Sequence, residues 1–212
     1  MFGLKEKYLT VKKYGEGELT IKRSRFIASV KPVQTEDEAI AFVSEIKAKY
    51  PDARHNVYAY IIEENNVMRY SDDGEPAGTG GVPVLDLLRK ENLTNLAVVV
   101  TRYFGGILLG TGGLVHAYSS AAKEGVDAAI RTEMILCKSL TIKCDYTLWG
   151  KLQNELANFT TAMEPAEYTD IITQKLFVPT FDAERLEKTL TEATNAKISL
   201  SFGEESYFAF EA

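Results

Sequence analysis

"TRYFGGILLGTGGLVHAYSSAAKEG", residues 101–125, runs out of an apolar stretch, through Gly105, Gly106, Gly110, Gly112 and Gly113, into a helical pattern. Just upstream, "NLAVVVTRYF" is the most strongly apolar run of the chain and reads as a strand buried on both faces. Downstream, Leu114, Ala117, Ala121, Ala128 and Ala129 mark a helix from Gly113 to about Ile130, whose small side chains let it lie close against a sheet. Strand, glycine turn and helix in this order make a mixed α and β domain. Nine of the fifteen glycines fall between residues 74 and 113, so the backbone is specified most tightly there.

Working outward, "ELTIKRSRFIASVKPV" reads as a long half-exposed strand or hairpin arm. In "TEDEAIAFVSEIKAKY", Thr35 and Glu38 form a capping box, and Ala39, Phe42, Val43, Ile46 and Tyr50 form the apolar face of a helix stopped by Pro51. "NVYAYII" and "NNVMRYS" pair as strands around Glu64-Asn65-Asn66, and a short helix is expected near Pro83 to Lys90. After residue 134 the rhythm changes. "MILCKSLTIKCDY" is a strand, "TLWGKLQNELANF" a helix, "AEYTDIIT" and "QKLFVPT" two strands, "DAERLEKTLTEAT" a helix and "AKISLSFGEESYFAF" a strand. The order β-α-β-β-α-β sets an α+β fold class and a domain boundary near residue 134, giving domains of 1–134 and 135–212.

The 212 residues are 45% hydrophobic and 25% charged, the composition of a soluble globular protein. No run approaches a membrane span, and the N-terminal "MFGLKEKYLT" lacks the apolar core of a signal peptide, so the cytoplasm is expected and a membrane is not. Cys137 and Cys144 lie seven apart on one strand and point to opposite faces; they are read as reduced structural thiols. The net charge of −6 argues against general nucleic-acid affinity. Residues 1–134 carry 17 basic and 18 acidic groups, residues 135–212 carry 7 and 12. An anion-binding surface therefore belongs on the first part.

The glycine turn has two readings, an anion or phosphodiester site and a packing joint. For the first, Arg102 stands at the strand's end, while Thr111 and His116 flank the helix start. The dinucleotide fingerprint is broken after Gly110-Thr111-Gly112-Gly113, and no lysine stands in Walker register. The second glycine loop, "SDDGEPAGTGG", puts Asp72, Asp73 and Glu75 in four positions, as turn and cap residues, a recognition surface, or acid/base or cation groups. Arg54 and His55 open a strand and are placed with the phosphate contacts. Tyr58, Tyr60, Tyr70, Tyr103, Phe104 and Tyr118 cluster in sequence around these loops, where they either stack on bases or pack the sheet. No metal site or cofactor is expected.

At Ala53-Arg54-His55-Asn56, at the run Ser71 to Thr79, and at Arg102-Tyr103-Phe104-Gly105-Gly106 through Leu109-Gly110-Thr111-Gly112-Gly113-Leu114 to Tyr118, the chain resembles the YigZ/IMPACT family, also known as uncharacterised protein family UPF0029. The resemblance covers nearly the whole chain. It implies an N-terminal domain like the second domain of ribosomal protein S5, and a C-terminal ferredoxin-like domain similar to the last domain of elongation factor G. Eukaryotic relatives regulate translation through a scaffold of the amino-acid-starvation kinase pathway, partly by a different N-terminal domain. This chain begins almost directly with the shared domain, so that partner is not expected here. The acidic C-terminal part counts against a broad basic RNA surface there.

The leading expectation is a noncatalytic cytoplasmic protein contacting RNA, the ribosome or a translation-associated protein. Arg54, His55, Arg102 and the glycine turn would hold phosphate, Lys22, Arg23 and Arg25 would extend the positive rim, and Arg102→Glu would weaken binding. The alternative is a small enzyme on a phosphorylated or nucleotide-like substrate, with His55, His116 and Asp72 or Asp73 as acid/base groups in a glycine-lined pocket. A protein-interaction module is the third reading. The oligomeric state is open.

Overall fold

In a computed structural model, residues 5–210 are described; residues 1–4 of the stretch tested for a signal peptide, and residues 211–212, lie outside them. The chain divides into two compact units, one of residues 9–133 and one in which residues from 134 onward are joined by the N-terminal segment up to Tyr8. The N-terminal strand β1 (Lys7–Val11), absent from the sequence expectations, crosses that division.

The first unit is built on one five-stranded sheet of order β2 (Gly15–Ile21), β3 (Ser24–Pro32), β6 (Leu96–Tyr103), β4 (His55–Ile62) and β5 (Val67–Ser71). All four neighbouring pairs are antiparallel. Helix α1 (Glu36–Lys49) covers one face, packing Phe42 and Ile46 against Tyr60, Ile62, Ala97 and Val99. Helices α2 (Gly81–Lys90) and α3 (Gly110–Ala128) cover the other, against Phe26, Ala28, Val57, Ala59, Val98 and Val100. Strand β6 is buried from end to end except at Tyr103, because both of its faces carry helices. Parity follows directly. Even residues of β6 and odd residues of β4 face α2 and α3; odd residues of β6 and even residues of β4 face α1.

Thr35 caps α1, its hydroxyl accepting from the Glu38 N–H at 3.2 Å, while the Glu38 carboxylate reaches back to the Gln34 N–H at 2.7 Å. Two helices start earlier than their sequence patterns say. Helix α2 begins at Gly81 because Asp72, far back in the loop, accepts from the Gly80 and Gly81 N–H groups at 2.9 and 2.8 Å. A cap supplied from nine residues away leaves no local signature. Helix α3 begins at Gly110, one turn before Gly113, with no side-chain cap. Thr111, Gly112 and Gly113 are therefore first-turn residues rather than loop residues.

In the second unit, β11 (Ser199–Ala209), β7 (Arg131–Cys144) and β10 (Ile172–Pro179) lie side by side, with β8 (Ala162–Met163) on the far side of β10. Helices α4 (Tyr146–Leu156) and α5 (Ala183–Thr194) cover one face, where Leu152, Leu156, Leu186 and Leu190 meet Leu140, Ile142, Leu176 and Val178. The expected strand "AEYTDIIT" is corrected: only β9 (Glu167–Tyr168) pairs, and Ile172 already belongs to β10. Pro165 lacks the N–H a ladder needs, and the chain doubles back where the Thr169 N–H donates to the Ile171 carbonyl at 3.1 Å. Cys137 and Cys144 are free and buried, and burial raises both thiols, Cys137 to about 11.

Candidate anion-binding cleft

Arg102 is in phase with Val98 and Val100, so its side chain leaves β6 on the α3 side. Its register partners are Phe26 on β3 and His55 on β4, which places Phe26, Arg102 and His55 in one cross-strand row at the end of the sheet. The guanidinium lies 5.5 Å from the centroid of the Phe26 ring and 5.6 Å from that of Phe104. Tyr118 of α3 meets Phe26 edge to face, with centroids 5.3 Å apart.

The acidic loop carries a carboxylate into this row. Asp73 and Gly74 both have positive φ, 43° and 86°, and the Glu75 N–H closes the turn on the Asp72 carbonyl at 2.9 Å. Asp73 clamps the turn to its neighbours, accepting from the Asn56 N–H and from Lys47 Nζ, each at 2.7 Å. Glu75 then projects inward, and its Oε1 accepts from Arg102 Nη1 at 2.6 Å and from the Tyr118 hydroxyl at 2.7 Å. Burial, then the Glu75 charge, pushes the Tyr118 phenol far above its ordinary range, so it stays a donor. His55 Nδ1 lies 2.9 Å from the Asp73 carbonyl oxygen; since a carbonyl only accepts, Nδ1 carries the proton. In the neutral ring this leaves Nε2 a bare acceptor, 3.9 Å from Glu75 Oε1.

Arg102, Glu75, His55 and Phe104 line a cleft of about 370 Å³. Its polar lining is Arg54, His55, Glu75 and Arg102, its apolar lining includes Phe104, Leu108, Leu109 and Leu114, and Gly110 and Thr111 of α3 complete it. Arg102 is only 6% exposed, and its Nε has no hydrogen-bond partner. Leaving a buried donor unmade costs about 1–3 kcal/mol. Arg54 is exposed and, among the described residues, has no ion-pair partner.

The other expected site residues divide. Gly105 is a packing joint: a Cβ there would stand 2.0 Å from the Arg23 carbonyl carbon. Gly106 and Gly110 have φ of 82° and 74° with open space around them, and Gly112 also faces open space, whereas a Cβ on Gly113 would press on Leu109. His116 is exposed on α3 and does not line the cleft. Asp72 and Asp73 are spent on backbone donors and Lys47. The acid/base set of His55, His116 and an aspartate is therefore not assembled, and among the described residues no three metal-ligating side chains converge. Arg25 leaves the positive rim because Glu18 holds it in a two-pronged pair at 2.8 Å; exposed Lys22 and Arg23 keep their charge free, in a hairpin turn with φ of 44° and 65°. The aromatic cluster also splits. Tyr58 and Tyr60 stack on the α1 face, with Tyr60 bonded to Glu36, and Tyr103 donates to Asp52, so all three lie on the other side of the sheet from the cleft. Tyr118, read from sequence as stacking or packing, instead orients Glu75, while Phe26 and the leucines of the lining were missed; helical spacing from Leu114 to Tyr118 was the available signal.

Burial disfavours the Asp72 carboxylate, but the N–H groups of Gly78, Gly80 and Gly81 outweigh it and hold its pKa below the ordinary value. Its contribution is complete above the unfolded carboxyl value, about 3.9, and is lost as pH falls through the depressed folded value. Asp72→Asn is expected to cost about 2 kcal/mol at pH 7. Urea unfolding from pH 7 down to pH 2 should show that difference closing at the acid end. A constant difference across the range would remove the charge from the account.

Residues 22–126 match the Impact N-terminal domain, and residues 142–197 match a domain of unknown function, DUF1949. IMPACT family member YvyE of Bacillus subtilis is 40% identical over 94% of this chain and 93% of its own. IMPACT family member YigZ of Escherichia coli is 30% identical over 87% and 92%. A solved structure described as that of a hypothetical protein superposes with a TM-score of 0.60 at 29% identity, covering 95% of this chain and 99% of the other. No helix among the described residues is long and apolar enough to cross a membrane. A cleft lined by the arginine–histidine, acidic-loop and glycine-turn motifs, on a chain that aligns with these relatives over 94% and 87% of its length, leads to one assignment: the chain belongs to the IMPACT family.

Proposed function

We propose that this protein is a noncatalytic cytoplasmic factor that binds RNA in translation, and that the cleft makes its phosphate contact. One observation carries the reading: the Arg102 guanidinium, held by Glu75 and with its buried Nε left without a partner, lines a cleft that the uncapped start of α3 also lines. Helix N-termini favour anions through free N–H groups and the helix dipole. When the ring is neutral, the His55 Nε2 acceptor suits a ribose hydroxyl, the group by which a protein tells RNA from DNA. Lys22 and Arg23 extend the positive surface, since the Arg23 backbone packs against Gly105, next to cleft-lining Phe104. The finer fold reading belongs to this proposal. The strand order β11–β7–β10–β8 with two helices on one face supports a ferredoxin-like second unit similar to the last domain of elongation factor G, and the first unit is read as like the second domain of ribosomal protein S5.

The geometry changes the test. Arg102→Glu would set two carboxylates together in a buried site and unfold it, so it cannot report binding. Arg54 is exposed and unpaired, and Arg54→Ala is expected to weaken RNA binding about 5-fold to 10-fold while lowering the slope of log affinity against log salt by about 1. Titrations at several salt concentrations check this. Equal affinity of variant and wild type throughout would take the cleft out of the RNA contact, and capture of a protein instead of RNA would replace the reading.

A further inference from the structure

We infer that the cleft takes the terminal phosphomonoester of an RNA strand rather than a phosphate within it; this rests on the RNA reading above and narrows it. The start of α3 supplies first-turn N–H groups that no side chain caps. A second and independent feature points at the same space: the buried Arg102, with its partnerless Nε, lines that cleft. Arg54 adds a third source of donors at the rim. Donors thus come from a strand, a loop and a helix, and a phosphate with a third unesterified oxygen and more than one negative charge answers them better than the singly charged phosphodiester. A phosphomonoester offers three acceptor oxygens and up to about two negative charges.

The backbone is shaped for close approach. Gly110, which lines the cleft at a φ of 74°, leaves open the space a Cβ would occupy, and so does Gly112 two residues on, although glycine in a helix costs about 1 kcal/mol relative to alanine. No packing contact at Gly112 accounts for that cost. Much of the remaining lining is apolar, including Phe104 and Leu108, the latter 82% exposed. An internal phosphate would drag charged backbone past that lining in two directions. A terminal one brings a single nucleoside, whose base and sugar the apolar lining suits.

The test is fluorescence anisotropy with one single-stranded RNA sequence carrying a 5′-phosphate, a 3′-phosphate or hydroxyls at both ends, each labelled at the end not under test. At least one phosphorylated form should bind tenfold or more tightly than the hydroxyl form, and Arg54→Ala should reduce that ratio to about twofold. Arg54 is exposed and, among the described residues, makes no side-chain hydrogen bond or ion pair, so the variant is expected to report binding rather than folding. If all three RNAs bind alike and Arg54→Ala weakens them equally, the terminal site is overturned while the RNA reading stands. No binding of any RNA overturns both. Free mononucleotides competing as tightly as the phosphorylated strand would also overturn the inference and assign the cleft to a small phosphorylated ligand.

Discussion

Glu75→Ala lowers stability by about 3–5 kcal/mol, because it strands the Arg102 guanidinium in a buried row without its counter-charge. The Tyr118 hydroxyl loses its acceptor in the same step. Removing both charges should cost far less: Glu75→Leu with Arg102→Met leaves no orphaned ion, and well-packed apolar pairs often match a buried ion pair. Urea unfolding of the single and double variants separates the two cases. The single variant should be the least stable of the three proteins, and the double variant should be stable but inert toward RNA. A Glu75→Ala cost under about 1 kcal/mol would mean that water enters the row and solvates Arg102, against the burial on which the cleft's chemistry depends.

Gly105→Ala is expected to cost about 3 kcal/mol. Its Cβ would stand 2.0 Å from the Arg23 carbonyl carbon and 2.4 Å from the Ser24 nitrogen, both backbone atoms that move only with their strand. The hydrogen bond from the Gly105 N–H to Ser24 Oγ, at 3.2 Å, is lost with that shift. Gly112→Ala supplies the opposite sign, because its Cβ meets nothing and alanine favours the helix by about 1 kcal/mol. Thermal unfolding should therefore move down for Gly105→Ala and up for Gly112→Ala. A rise in both would show that the β3 start yields freely, and Gly105 would cease to be a joint.

The RNA and enzyme readings of this chain differ in what they need from the acidic loop. Acid/base chemistry needs a free aspartate near His55, and both aspartates are engaged in holding the loop. Binding needs only that the loop deliver Glu75, which it does.

Much of this was legible in the residues. The apolar run of β6, the face of α1 with its Thr35 cap, and the long strands and two helices after residue 134 follow from periodicity and local capping, which act over a few residues; the short strands between those helices do not. Arg54, His55, Glu75 and Arg102 were legible as a set, because charged and glycine-rich positions at strand ends stand out against an apolar background. Their roles were not. Which face Arg102 takes follows from its parity with Val98 and Val100, but only the helices packed on each face give that parity a meaning. The Asp72 cap on α2, the removal of Arg25 by Glu18, and the split between Tyr118 and Tyr58, Tyr60 and Tyr103 all join residues far apart along the chain or across strands. The sequence by itself determined most of the long elements and the chemical types that line the cleft, but not the short or remotely capped elements. The tertiary structure decided which charges are spent on one another and which are left to face a ligand, because that depends on distances between segments that periodicity and propensity, being local, do not set.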